Sequence, residues 1–236
     1  MIDNFCVFIL SHNRHDRVYT YNTLREKNYT GKIFIIIDDE DKSQDKYFEL
    51  FGDQVITFSK DKVANTFDIG DSFDDKRAVV FARNACFDIA KKLGYTYFMQ
   101  LDDDYTDFRW SFDNNKKYVT NKYIKNLDKV FSIMLDFYKK TSFTSICMAQ
   151  GGDFIGGENS GLSKTFLDGQ ISRKIMNSFL CSTERPFQFI GRINEDVNAY
   201  CYFGYKGYLF MTTAQLRLDR KSTRLNSSHG YISYAV

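Results

Sequence analysis

The stretch Tyr95-Thr96-Tyr97-Phe98-Met99-Gln100-Leu101-Asp102-Asp103-Asp104-Tyr105 decides how this chain is read. Its run from Tyr95 to Leu101 has the length and residue types of a buried strand, and three carboxylates follow at the carboxyl end. That end is where α/β folds place their ligands. Mg²⁺ or Mn²⁺, held by one or two carboxylates plus a diphosphate, is a common means of gripping a nucleotide leaving group. Side chains alternate along an extended segment, which sends Asp102 and Asp104 to one side as a candidate metal pair and Asp103 elsewhere. Read by itself, the triplet also fits a solvated acidic turn closing a strand.

Outward from this stretch, apolar runs of strand length alternate with segments of helical period. Upstream, Phe5 to Leu10 reads as a strand leading through the polar turn Ser11 to Arg14 into a helix near His15 to Glu26. Ile33 to Ile37 is a second strand, closed by Asp38, Asp39, Glu40 and Asp41. A helix is expected at Gln44 to Phe51 and a strand at Gln54 to Phe58. The polar stretch Ser59 to Lys76 reads as a loop, and Arg77 to Leu93 as a helix with Gly94 as its C′ residue. Downstream, Asn121 to Lys140 shows one broad apolar face, and Phe143 to Ala149 reads as a buried strand. The glycine-rich Gly151 to Gly161 lacks a following Lys-Ser/Thr and reads as an active-site or hairpin loop. Strands are expected at Ile175 to Cys181, Phe187 to Ile190 and Tyr208 to Met211, with a helix at Glu195 to Phe203. This alternation predicts a single α/β domain with a Rossmann-type, mostly parallel sheet flanked by helices.

Composition sets the bounds. The 236 residues are 43% hydrophobic and 26% charged, with one proline, which excludes intrinsic disorder over most of the length. With 32 basic and 30 acidic side chains the net charge is +2, so a nucleic-acid contact requires local patches. Five widely spaced cysteines point to reduced thiols and a cytoplasmic setting. No run approaches the ~18 apolar residues of a membrane span, so no membrane contact is expected.

Further constellations bear on chemistry. In Gly191-Arg192-Ile193-Asn194-Glu195-Asp196-Val197-Asn198, two acids open a helix behind an asparagine. Such acids stabilise a helix N-terminus with no catalytic role, yet beside a metal-type triplet they are candidates for a general base. Ser11, Asn13 and Arg14 sit in the first turn, where a nucleotide base and phosphate can be met, or a helix capped. Asp38 and Asp39 suit a uracil or ribose contact. Arg77, Arg83 and Asn84 lie before the acidic strand, where arginine can neutralise a diphosphate. Trp110 to Tyr118 (WSFDNNKKY) offers aromatics and lysines to nucleic acid.

From Asp219 onward, DRKSTRLNSSHGYISYAV loses the periodicity and aromatic density of the rest. It resembles a recurrent tail translated from sequencing-adaptor DNA. The domain is therefore taken as residues 1–218, truncated at its C-terminus, with 219–236 foreign to it or disordered and its deletion expected to leave the melting temperature unchanged.

The order of strand-SHNR, strand-DDED, RNACFDIA helix, strand-QLDDDY and late GRINEDVN resembles the GT-A nucleotide-sugar glycosyltransferases. More narrowly, FMQLDDDY and FIGRINEDVNAY are similar to the TET-associated and base J-type DNA glycosyltransferases. The resemblance covers about residues 5 to 216. It implies an inverting enzyme moving a hexose, glucose first, from a UDP-sugar to a hydroxymethylated pyrimidine in DNA. Asp102 and Asp104 would hold Mn²⁺ or Mg²⁺, Asp103 would meet sugar or ribose, and Asp196 would be the base. A late histidine that often completes the metal site has no counterpart before His229. The same scaffold also suits protein, lipid or saccharide acceptors. A nucleotidyltransferase and a non-catalytic nucleic-acid-binding module remain the other readings. No obligate protein partner is implied.

Overall fold

The computed structural model describes residues 2–70 and 79–220. In chain order the elements are β1 (Phe5–Leu10), α1 (Tyr19–Glu26), β2 (Lys32–Asp38), α2 (Gln44–Phe51), β3 (Val55–Phe58) and α3 (Lys60–Ala64). Then come α4 (Val80–Lys92), β4 (Tyr97–Asp102), β5 (Tyr105–Phe112), β6 (Tyr118–Tyr123), α5 (Leu127–Lys139) and β7 (Phe143–Gln150). The chain continues with α6 (Gly161–Leu167), β8 (Ser178–Ser182), α7 (Glu195–Tyr205) and β9 (Leu209–Arg220).

All described strands join one nine-stranded sheet, in the order β3-β2-β1-β4-β8-β7-β9-β5-β6. The β3-β2-β1-β4 half is parallel throughout, the Rossmann-type arrangement expected from the alternation of strands and helices. Beyond β4 the sheet is mixed: β8 is antiparallel to both its neighbours, and β7 is parallel to β9. Strand β1 shows why both faces need helices. Phe5, Val7 and Ile9 point into one apolar layer with α1 and α5, while Cys6, Phe8 and Leu10 point into another with α4. This is the single-domain α/β fold that the sequence predicts.

Several boundaries differ for physical reasons. The helix expected from Asn121 begins at Leu127, because Tyr118–Tyr123 pairs with β5 and the Asn126 side chain accepts from the Lys129 N–H as N-cap. The Trp110–Tyr118 segment spans the end of β5, the connecting turn and the start of β6. Its Phe112 is buried and stacks on Phe166 at 4.3 Å, so that ring is spent on the core instead of on bases. Within the stretch read as a loop, Lys60–Ala64 is helical. Residues 187–190 form no strand; Phe187 and Phe189 pack into the α4 layer. Strand β9 continues past Leu218, where the sequence closes the domain, with Asp219 opposite Asp107 and Arg220 opposite Tyr105 on β5. Residues 221–236 of the expected tail lie outside the described residues.

The cysteines of the described residues are free, four buried and Cys201 exposed. No helix among the described residues is long and apolar enough to cross a membrane.

Candidate active site

The parallel register of β2, β1 and β4 brings Asp38, Leu10 and Asp102 to one edge of the sheet. There a cleft of ≈ 650 Å³ opens, lined by Ser11, His12, Arg14, Asp38, Lys60, Arg83, the Asp102–Asp104 triplet, Glu195 and Arg220, among others.

The triplet divides, although only Asp102 lies on β4 and Asp103 and Asp104 form the turn into β5. Asp102 and Asp104 both turn toward Arg220, whose Nη2 donates to Asp102 Oδ2 at 2.8 Å and whose Nε lies 3.2 Å from Asp104 Oδ1. That Asp104 oxygen is buried with no hydrogen-bond partner. Asp103 turns the other way, accepting from Ser11 Oγ at 2.7 Å and Arg14 Nη1 at 3.2 Å. Burial pushes the Asp103 carboxyl above its usual range, with Ser11 and Arg14 pulling against it. Burial likewise raises Asp104, opposed by Arg220 and reinforced by Asp102.

Two hard carboxylates have the donor chemistry of a Mg²⁺ or Mn²⁺ site, which keeps waters and substrate phosphates in its shell, and the Arg220 guanidinium occupies the space between them. Among the described residues, no group of three or more His, Cys, Asp or Glu converges into an all-protein cage. As a metal site this donor set would be half of one, leaving positions for water or substrate oxygens.

On the other wall, Arg83 is 1% exposed. Its Nε donates to Glu195 Oε1 at 3.0 Å and its Nη2 to Asp102 Oδ1 at 3.2 Å, while Nη1 is buried without a partner. Burial raises the Glu195 carboxyl, and Arg83 opposes that rise. Asp196 is also buried, with Oδ1 accepting from the Val197 N–H at 2.8 Å, and does not line the cleft. Asn194 precedes α7 in a left-handed conformation (φ 54°) and makes no side-chain cap.

At the far end of the cleft, Asp38 accepts from Lys60 Nζ at 3.0 Å and shares a 2.7 Å bond with His12 Nδ1. Lys60 also reaches Glu40 at 3.1 Å. Burial alone would lower the ammonium, but the two carboxylates outweigh it and hold it above its ordinary range. Asp39 faces the start of α3, accepting from the Lys60 N–H at 2.9 Å. Its burial is outweighed by that bond and by Ser59, so its carboxyl lies below the usual range.

Ser11, Arg14, Asp38, Arg83, Asp102, Asp103, Asp104 and Glu195 are thus brought together. Asn13, in a left-handed turn (φ 53°), serves as scaffold: its N–H donates to Asp41 Oδ2 at 2.7 Å, and its Oδ1 accepts from the Lys42 N–H. Asn84 lies away from the cleft, exchanging hydrogen bonds of 2.9 Å each way with the Phe189 backbone. That exchange uses its amide oxygen and one N–H, so Asn84 anchors the 187–190 segment. Arg77 lies outside the described residues.

Sequence reasoning missed Lys60, His12, Tyr47 and Arg220. Lys60 lies in a stretch with no apolar period. Tyr47, whose hydroxyl lies 2.7 Å from Ser11 Oγ and accepts from the Arg14 N–H, reads as a core position of α2.

The chain is similar to several solved structures. A mannosyltransferase, PcManGT, from Pyrobaculum calidifontis, in complex with GDP-Man and Mn²⁺, superposes with a TM-score of 0.51 at 10% identity, over 92% of this chain and 56% of that one. Glucosyl-3-phosphoglycerate synthase from Mycobacterium tuberculosis, in complex with Mg²⁺ and UDP, gives 0.48 at 8% identity, over 94% and 72%. S. aureus TarS 1-349 in complex with UDP gives 0.47 at 12%, over 91% and 60%. No curated protein matches the sequence. The family model of the TET-associated glycosyltransferases matches residues 5–230, which takes in every described strand of the sheet and the whole cleft; the chain belongs to that family of glycosyltransferases.

Proposed function

We propose that this glycosyltransferase is a metal-dependent, inverting enzyme that moves a hexose, glucose first, from a UDP-sugar to the hydroxymethyl group of a modified pyrimidine in DNA. The observation that carries the reading is the cleft itself: the Asp102 and Asp104 carboxylates at the sheet's carboxyl edge, facing a buried arginine and an acid-opened helix. The neighbours with bound UDP or GDP-Man and Mg²⁺ or Mn²⁺ support the donor class, and the family name supports DNA as acceptor.

Asp38 would address the nucleoside, with Lys60 and His12 fixing its carboxylate and Asp39 anchoring the start of α3. Asp103 would meet ribose or sugar while tying the first turn to the triplet. Asp102 and Asp104 would hold the cation, which when bound neutralises charge on the departing diphosphate. The unpartnered Nη1 of Arg83 would donate to the same diphosphate. A carboxylate of the Glu195–Asp196 pair would take the proton of the attacking hydroxyl as its oxygen bonds to the anomeric carbon and the bond to the diphosphate breaks. The resemblance implies Asp196. Glu195 is a second reading, because it is the member that lines the cleft. Asp219 and Arg220 open the segment that resembles a translated adaptor, so no step is given to Arg220.

The test is incubation of the chain with labelled nucleotide sugars and hydroxymethylated DNA, with Mn²⁺ or with chelator. Label on DNA only with metal supports the reading. Nucleotide on the product indicates nucleotidyl transfer, and sugar on a protein or saccharide added in place of DNA redirects the acceptor.

A further inference from the structure

Arg83 is among the largest fully buried side chains of the described residues, and it sits where two distant parts of the chain meet. Asp102 ends β4 and Glu195 opens α7, 93 positions later, yet one guanidinium holds both, Nη2 on the first and Nε on the second. The plane of that guanidinium is fixed in turn. Its centre lies 4.5 Å from the Phe179 ring and 5.7 Å from the Phe189 ring. The helix behind it is pinned by Gln100, whose Nε2 donates to the Arg83 carbonyl at 3.0 Å. A surface ion pair needs none of this support.

Resting on the function proposed above, we propose that Arg83 is a positioning residue: its rigid fork sets the separation between the Asp102 carboxylate and the Glu195 carboxylate. It thereby couples the donor side of the cleft to the acid pair that starts α7. The reason arginine is required is geometric. A planar guanidinium offers donors in fixed directions to two carboxylates at once, whereas a lysine ammonium is a point charge on a flexible stem. Displacement of a reacting group by about 1 Å is enough to cost ~10²-fold in rate. Direct contact between Arg83 and a diphosphate would by itself make no demand on Glu195, so the two roles separate experimentally.

The test is a double-mutant cycle of Arg83→Lys and Glu195→Gln in the full chain, reading kcat for sugar transfer and donor affinity by calorimetry with Mn²⁺. Arg83→Lys is expected to lower kcat by ~10²-fold in the wild-type background and by clearly less in Glu195→Gln, where only its donation to the diphosphate is lost, since coupled residues are not additive. Equal losses in both backgrounds, or a loss confined to donor affinity, overturn the inference. Should Arg83→Lys melt below the assay temperature, Glu195→Asp carries the test, because it keeps the charge but withdraws the carboxylate from Nε. A comparable fall in kcat with unchanged donor affinity is expected, and wild-type kcat overturns the inference. A wild-type chain that neither transfers nor hydrolyses any sugar nucleotide overturns the function proposed above together with this coupling, whereas an additive cycle in an active enzyme overturns the coupling alone.

Discussion

Replacing Lys60 by methionine tests whether the nucleoside end of the cleft is built on a buried charge. Methionine keeps most of the aliphatic stem and removes the ammonium, whose side chain is 5% exposed beside Asp38 at 8% and Glu40 at 53%. The Glu40 contact is close to solvent and contributes ~1 kcal/mol at most. The Asp38 contact is buried, and breaking a buried pair costs ~3–5 kcal/mol because a charge is left behind. Asp38 would retain His12 Nδ1 and the Glu40 N–H, which places the cost near the lower end, about 3 kcal/mol. At ~2–4 °C per kcal/mol for a domain of this size, the melting temperature should fall by roughly 6–12 °C. Calorimetric melts of Lys60→Met, Glu40→Gln and the double variant Lys60→Met with Asp38→Asn check this. Glu40→Gln should be nearly silent, and the double variant should recover part of the loss. The pH dependence follows from the raised ammonium. A cationic group raised on folding stabilises fully below its unfolded value, and that stabilisation is lost as pH climbs through the folded value. The difference between wild type and Lys60→Met should therefore be flat from pH 7 to 9 and shrink only in strong alkali. A Lys60→Met variant that melts within 2 °C of wild type (a shift set by ~2–4 °C per kcal/mol) would refute the buried-pair reasoning.

Three further outcomes follow from the same geometry. Asp102→Asn and Asp104→Asn should each abolish Mn²⁺-dependent donor binding in calorimetry while the fold persists, and unchanged affinity in both with and without metal would remove the metal assignment. Asp196→Asn should retain donor binding and lower turnover by ~10²–10⁴, with Glu195→Gln as the comparison; the inverse pattern makes Glu195 the base, and two active variants make this helix start structural. Because Arg220 stands between Asp102 and Asp104, Arg220→Gln should tighten Mn²⁺ binding in the absence of donor, measured by electron paramagnetic resonance, and equal affinity would show that the arginine does not compete.

How much of this was legible beforehand depends on the range of the interactions. Periodicity alone yields the elements whose apolar positions repeat locally: β1, β2, the α2 span Gln44–Phe51, and the start of α7 at Glu195. It also yields the acidic triplet at the end of β4, while the split between Asp103 and its neighbours is set by the turn into β5. It does not yield β5 and β6, because Tyr118–Tyr123 is mostly exposed and is a strand only through pairing with β5. Nor does it yield Lys60, whose role depends on β2 and β3 lying side by side in parallel register. Asn84 and Arg83 are neighbours on one helix, and the sequence treats them alike. The 100° turn between them sends one to the backbone of Phe189 and the other to two carboxylates in the cleft. Local chemistry thus determines which residues are able to serve a metal, a diphosphate or a proton transfer. Which of them meet is decided by long-range strand pairing, because hydrogen-bond partners separated by tens of residues leave no periodic trace in the chain.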